Sequence, residues 1–384
     1  MATLLILFYL LTALVWICRS RRAFEALREN PRVEVSPSRS ISLSPSLPLV
    51  TILLPVKNEE GNLETCLNRL LNQDHPAKEI IVINDHSIDR TSKILSEYAQ
   101  SSPNQIRVLE APPLPKGWTG KNWALTHGEP HARGEWLLFT DADTRHEPWS
   151  LSSGLAYAEG KGLALLTLSP RCLTEGFWER VLQPVAMTFL GLWFPFRKVN
   201  DPTSSLSFGN GQYLLVRRRV YRALGGHAKV KEAFLEDFAL VQEAKKRHFR
   251  IECAIGTKIY GTRMYRSFSG IWLGWRRIFF HAFGKNLFRL LKKAALVFLF
   301  SFLPFFFFPL LSQMALNTPE HFGALWGFGL FLLAVIVLTA WKAYGIVGAK
   351  QGYAFLHPLA GLIVTGILAD AARFALTKKE LKWR

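Results

Sequence analysis

Cysteine is scarce in this chain and scattered: Cys18, Cys66, Cys172 and Cys253 share no CxxC spacing and have no histidine at metal-ligand distance. That argues against a zinc ribbon or a disulfide-stapled scaffold, and the four thiols read as reduced and structural. Acidic residues are also few, 29 against 47 lysines and arginines, leaving a net charge of +18 over 384 residues. Such a surplus suits nucleic acid, anionic lipid or a phosphate-bearing substrate, and charge alone does not choose among them. The GxxxxGK[ST] phosphate loop is missing, so any phosphate site must be built another way. No basic residue precedes the first apolar run, Ala2 to Cys18, and no small-residue cleavage site follows it. A secretory signal is therefore disfavoured, and the run reads as a retained anchor with its N-terminus outside; a buried amphipathic helix is the weaker alternative.

What the chain does have is apolar length, including 28 phenylalanines. Ala294 to Leu316, Ala324 to Ala340 and the weaker Phe355 to Ala369 read as transmembrane helices. Arg19, Arg21 and Arg22 follow the first apolar run and Lys292 and Lys293 precede the second, the flanking pattern of cytoplasmic borders. One conflict arises. If all four segments cross, the basic tail with Arg373, Lys378, Lys379, Lys382 and Arg384 lies outside, against the positive-inside bias. Either the first or the last segment fails to cross, or the bias is violated.

Between the anchor and the later spans lies an α/β domain. Leu49 to Pro55, Glu79 to Asn84, Ile106 to Glu110, Glu135 to Thr140 and Ala164 to Leu168 are short apolar runs of strand character. Helical patterns at Gly61 to Leu71, Thr91 to Tyr98 and Ala124 to His131 intervene, so the expectation is a doubly wound, mostly parallel, Rossmann-like sheet. The chain divides into an N-terminal anchor at 1–18, a basic and Ser/Pro-rich linker at 19–48 and the α/β domain at 49–266. An interfacial amphipathic segment follows at 267–293, then transmembrane helices at 294–372 and a basic tail at 373–384. Ligands of such sheets lie beyond the carboxyl ends of the strands, which is where the chemistry-bearing residues cluster.

Asp141-Ala-Asp143 follows an apolar strand, and its two carboxylates suit one hard cation, Mg2+ or Mn2+, bridging to a diphosphate; an isolated Asp-x-Asp is otherwise a solvated turn. Asp85 follows the second strand and is placed to accept from a base N–H or to cap the next helix; Glu59 has the same two readings, and Asp89 reads as a cap. Lys121 ends the glycine-bracketed Gly117 to Asn122 and is a diphosphate candidate. Glu236 and Asp237 open an amphipathic helix, where they serve either its dipole or, as a general base, an acceptor hydroxyl. Tyr265 to Lys293 mixes aromatics with Arg266, Arg276, Arg277 and Lys285, read as an interfacial helix on anionic lipid in preference to a nucleic-acid surface.

Taken together, these motifs resemble the inverting family-two glycosyltransferases with the A-type nucleotide-sugar fold, over roughly Leu49 to Asn286. Val50 to Glu60 looks like the family's first strand and Asn-Glu-Glu turn, and Ile83 to Thr91 like its Asp-Asp-Gly-Ser-x-Asp-x-Thr segment. Asp141-Ala-Asp143 looks like its metal motif and Glu236-Asp237 like its base motif. The resemblance implies nucleotide-sugar contacts at Pro55, Val56, Lys57, Glu59, Asp85, Lys121, Asp141 and Ala142, a Mn2+ or Mg2+ ion at Asp143 and Asp141, and Asp237 as base beside Glu236. No Gln-x-x-Arg-Trp motif follows Asp237, which disfavours processive synthesis. Met264 to Ser267 and Ile271 to Trp275 instead look like a membrane-anchored subgroup that includes carotenoid- and hopanoid-associated glycosyltransferases. By that likeness Asn210, Gly211 and Gln212 approach the acceptor, and Arg266 and Trp275 stand in for the missing motif near the diphosphate. The implied reaction moves one hexose from a nucleotide diphosphate sugar, UDP-linked, to a lipid or isoprenoid acceptor at the cytoplasmic membrane face, without nucleic acid. A processive polysaccharide synthase and a non-catalytic nucleotide-sugar-binding scaffold are the alternatives.

Overall fold

The computed structural model describes residues 2–35 and 47–377, so most of the Ser/Pro-rich linker and the tail beyond 377 lie outside the described residues. Two compact units emerge. One comprises Asn30–Arg171 and Phe194–Met264; the other comprises the described parts of Met1–Glu29, Cys172–Trp193 and Tyr265–Lys382.

The first unit is a seven-stranded mixed sheet: β1 Val50–Val56, β2 Lys78–Asn84, β3 Ile106–Glu110, β4 Trp136–Phe139, β5 Leu165–Ser169, β6 Leu214–Arg217 and β7 Ile251–Ile255, in spatial order β3-β2-β1-β4-β6-β5-β7. The pleat sends successive β1 side chains to opposite faces. Ile52, Leu54 and Val56 join Leu63, Leu67 and Leu70 of the helix Leu63–Leu71. Leu53 points the other way, to Ile81, Ile83, Leu125 and Phe139. Both faces are covered, hence the unbroken apolar run instead of an alternating one. The expectation of a mostly parallel sheet needs one refinement. β6 runs antiparallel to both β4 and β5, while β1 is parallel to β2 and β4, β2 to β3, and β5 to β7. A reversed strand brings the loop before it to the edge where its parallel neighbours deliver the loops after them, and Leu214 pairs with Phe139 at that edge.

The second unit is helical and holds four candidate membrane spans, Thr3–Ala26, Leu287–Asn317, Pro319–Ile346 and Gln351–Leu376. The N-terminal helix is longer than the anchor expected at 1–18: it runs 28 residues, Ala2–Glu29, because nothing after Cys18 breaks it. Leu5, Tyr9 and Trp16 pack on Leu311, Leu332 and Ile336, whereas Leu4, Leu7, Leu11 and Leu14 face outward. Its docking has a backbone cause. Pro304 has no N–H to give the carbonyl four residues back, Phe300, and the helix widens into a π turn at Phe298–Phe302. Trp16 Nε1 donates to that carbonyl at 2.6 Å, and Tyr9 donates to the Pro304 carbonyl at 3.0 Å.

Cys172–Trp193, read from sequence as part of the α/β domain, clusters instead with the helical unit, through the helix Phe177–Trp193. Gln183 on that helix accepts the Trp275 indole N–H at 2.7 Å. Trp275 is only 1% exposed, so its ring is a packing element of the helical unit.

Candidate active site

The carboxyl ends of β1, β2 and β4 leave the sheet on one side and carry most of the residues singled out in the sequence. Pro55 and Val56 complete β1, and Lys57 follows in the turn, where its ammonium pairs with buried Asp85 at 3.0 Å. Asp85 is fixed further by its own N–H donating to the Val56 carbonyl at 2.8 Å. The two turns brace each other: Asn58 N–H donates to Ser87 Oγ at 3.0 Å and Ile88 N–H to Asn58 Oδ1 at 2.9 Å. Asn58 and His86 hold φ of 55° each, a left-handed backbone that asparagine tolerates better than most residues. Glu59 accepts from Asn62 Nδ2 at 2.8 Å, and its N–H donates to Thr91 Oγ1. Asp89, expected as a cap, stands one residue ahead of the cap position Arg90, and accepts from the N–H groups of Thr91 at 3.0 Å and Glu60 at 3.2 Å.

After β4, Asp141 and Asp143 flank buried Ala142. The feature that sequence reading missed is what lies against them. Lys121 Nζ sits 2.8 Å from Asp141 and 2.7 Å from Glu236, so one ammonium ties the Asp-x-Asp loop to the Glu-Asp helix start. Lys121 is placed by the helix Gly120–Gly128, whose first turn is capped by Thr119. Glu236 and Asp237 open the helix Glu236–Lys246, which Asn122 steadies by donating to the carbonyls of Val230 and Ala233 in the approach to it. Asp237 accepts from the N–H of Gly211 at 2.7 Å and of Phe238 at 2.8 Å.

Asn210, Gly211 and Gln212, expected at the acceptor, are brought by β6 against these same carboxylates. Gln212 Nε2 donates to Asp143 at 3.2 Å and to Thr262 at 2.9 Å, and its carbonyl accepts from Thr140 at 2.9 Å. The Asn210 amide is spent on the Leu168 carbonyl and Tyr260. A Cβ on Gly209 would stand 2.4 Å from the Asp237 carbonyl oxygen, so that position requires glycine for close approach, whereas one on Gly211 would press only on the Lys121 and Glu236 side chains, Lys121 Nζ at 2.9 Å. Behind the loop, buried His146 bonds Thr140 and Ser150; desolvation depresses its pKa to about 3, so it stays neutral. Arg266 and Trp275, the diphosphate candidates, belong to the helical unit.

Four carboxylates around one ammonium leave an excess of negative charge. Burial, then neighbouring Asp141 and Glu59, raises Asp143 to about 7; burial, then Glu236, raises Asp237 to about 7. Burial acts to lower the Lys121 pKa, but Asp141, Glu236 and Asp237 outweigh it and hold the ammonium charged. Lys121→Met is expected to destabilise the protein by about 3–5 kcal/mol, the usual cost of breaking a buried ion pair from one side. Urea unfolding of the metal-free protein measures it, and an unchanged midpoint would show the bridge to be dispensable.

Asp143 and Asp141 offer the hard oxygen donors that Mg2+ or Mn2+ prefers, and an acid held partly protonated in an electronegative site fits a cation. Among the described residues no three such side chains form a complete cage, so further ligands must come from elsewhere. Binding has to displace the Asp143 proton. Mn2+ affinity is therefore expected to rise by about tenfold per pH unit below about 7 and to level off above it, measured by calorimetry. For the metal-free protein the sign is opposite: these raised carboxyls keep protons that the unfolded chain sheds above its ordinary 3.8, so stability falls as pH climbs toward 7.

The sequence profile of glycosyl transferase family 2 matches residues 51–225. The 4,4'-diaponeurosporenoate glycosyltransferase of Staphylococcus aureus (strain USA300) is 26% identical over 235 residues, covering 59% of this chain and 60% of that protein. The similarity thus spans about three fifths of that relative's length. A mannosyltransferase from Pyrobaculum calidifontis, solved in complex with GDP-Man and Mn2+, superposes with a TM-score of 0.50 at 17% identity over 99% of each chain, a likeness of fold. Motif order, sheet and profile agree on a glycosyl transferase family 2 domain at residues 51–225.

Proposed function

We propose that this chain transfers a single hexose, with inversion, from a UDP-linked nucleotide diphosphate sugar to a lipid or isoprenoid acceptor at the cytoplasmic membrane face. The observation that carries the reading is the Lys121 bridge, which gathers the Asp-x-Asp and Glu-Asp carboxylates at one sheet edge, beyond the strand ends that also bear Asp85. The relative that acts on diaponeurosporenoate supports an isoprenoid acceptor, and the four candidate spans support its delivery from a bilayer. Lys342, near the end of the third candidate span, and Lys350, in the connection to the fourth, fall on the same side as Arg19 and Lys293 if every span crosses, which favours a cytoplasmic catalytic domain. Arg373 offsets the opposing tail charge in part by pairing with Asp370 at 2.9 Å.

Asp85, paired with Lys57, retains acceptor capacity for a base N–H, and Lys121 lies where a diphosphate would draw it from the carboxylates. Asp143 and Asp141 would hold the divalent cation, whose contribution when bound is to offset charge on the departing diphosphate. Asp237, raised to about 7, is tuned to take a proton near neutrality. It removes the acceptor hydroxyl proton as that oxygen bonds to the anomeric carbon on the face opposite the diphosphate; the carbon–diphosphate oxygen bond breaks and nucleotide diphosphate leaves. Mass spectrometry of lipids from cells bearing the active chain tests this. One lipid heavier by one hexose is the expected product. A ladder of masses would indicate a processive synthase, and an unchanged lipid profile with bound nucleotide sugar a scaffold.

A further inference from the structure

Some charged groups in the helical unit are neutralised in place. Asp370, for instance, accepts from Trp272 Nε1 and Arg276, each at 3.0 Å. Arg19 is different. Its guanidinium lies within a candidate span, where among the described residues it donates only to Ser301 Oγ at 3.2 Å and the Leu296 carbonyl at 3.4 Å. Its electrostatic surroundings are cationic, for Arg22, Lys292 and Arg19 itself all act on Lys293. None of these four makes an ion pair among the described residues. An uncompensated cation at such a position is costly, which makes it a ligand-site candidate.

The walls around these cations are aromatic. Arg19 stands over Trp16 at 4.9 Å and Phe189 at 5.9 Å, and Lys293 over Trp193 at 5.1 Å and Phe283 at 5.7 Å. Phe189 stacks on Trp193 at 5.5 Å, so the two cations share one continuous aromatic ridge. His357 meets the same rings, Trp16 at 5.6 Å and Phe189 at 6.3 Å between centroids. It is 5% exposed, yet neither ring nitrogen has a hydrogen-bond partner among the described residues. A buried polar side chain without a partner, beside two cations without an anion, describes half of a binding site.

We infer that Arg19, Lys293 and His357 bind the anionic headgroup, phosphate or carboxylate, of an amphiphile whose apolar chain lies along the helices. The inference stands on the helical unit alone and does not rest on the proposed transfer reaction. Two sources share this chemistry, a bilayer phospholipid and an isoprenoid acid. The full chain, purified in neutral detergent, is titrated with phosphatidylglycerol, phosphatidylcholine or geranylgeranoic acid, and retained ligand is counted by native mass spectrometry. Retention of phosphatidylglycerol or geranylgeranoic acid over phosphatidylcholine is expected, weakened about fivefold by Lys293→Gln. Arg21→Gln, which removes an exposed arginine already paired with Glu25, should leave retention unchanged. Among the described residues the Lys293 ammonium makes only ring contacts, so its replacement keeps the test informative if Arg19→Gln fails to fold. Preference for phosphatidylglycerol assigns the site to a bilayer lipid, and displacement of it by geranylgeranoic acid assigns it to an isoprenoid headgroup. Equal retention of phosphatidylglycerol and phosphatidylcholine, or no loss in Lys293→Gln, overturns the proposal. Nucleotide release is not read, so a failure of the transfer reaction leaves the result unaffected.

Discussion

Asp237→Asn is expected to slow transfer to a hydroxyl acceptor by about 10²–10⁴-fold, the range supplied by a positioned general base. The amide keeps the size of the side chain and an oxygen that can still accept from Gly211 N–H, so the loss should fall on kcat and leave folding intact. The acceptor's chemistry decides whether the loss is seen at all. A carboxylate acceptor is ionised at neutral pH and needs no base, so ester formation should largely survive the same substitution. Parallel rates with an isoprenoid alcohol and an isoprenoid acid separate the cases. Equal, undiminished rates with both would remove Asp237 from the mechanism.

The second large effect is at Asp143. Asp143→Ala is expected to reduce transfer by on the order of 10³-fold even at saturating Mn2+, because charge developing on the diphosphate loses its principal counterweight. Folding should be spared. Asp143 is a buried acid whose pKa burial has already raised, and Gln212 keeps its bond to Thr262 when its partner at Asp143 is removed. Calorimetric Mn2+ titration supplies a readout independent of turnover, and undiminished binding and rate together would refute the assignment. Asp141, committed to Lys121, should show a smaller loss of metal affinity on the same substitution.

Where hydrophobic runs decide the structure, the sequence was informative. Ile106–Glu110 forms a strand with the bounds expected, and β1, β2 and β4 fall within a residue or so of the apolar runs that predicted them. The helix expected at Ala124 to His131 begins earlier, at Gly120, because the Thr119 cap is stronger than the helix-breaking tendency of glycine at a first turn. β6 carried no clear signal: four residues directly ahead of a basic helical segment show no diagnostic period. Without β6, the Asn-Gly-Gln loop has no reason to face Asp143. The same holds for Lys121, whose partners Asp141 and Glu236 are brought to it by two separate segments, the loop after β4 and the helix that opens at Glu236. The motifs were legible one at a time, whereas their convergence is a property of the sheet.

The bond from Trp16 to the Phe300 carbonyl joins residues 284 apart in the chain, and Tyr9 reaches 295 residues to Pro304. During synthesis the first helix, a candidate membrane span, is therefore made with its indole donor uncommitted and waits while the whole sugar-transfer domain is translated. Only when the proline-broken helix emerges does the donor find its carbonyl. A chain that stops before Leu287 would thus leave that helix without the carbonyls it docks on.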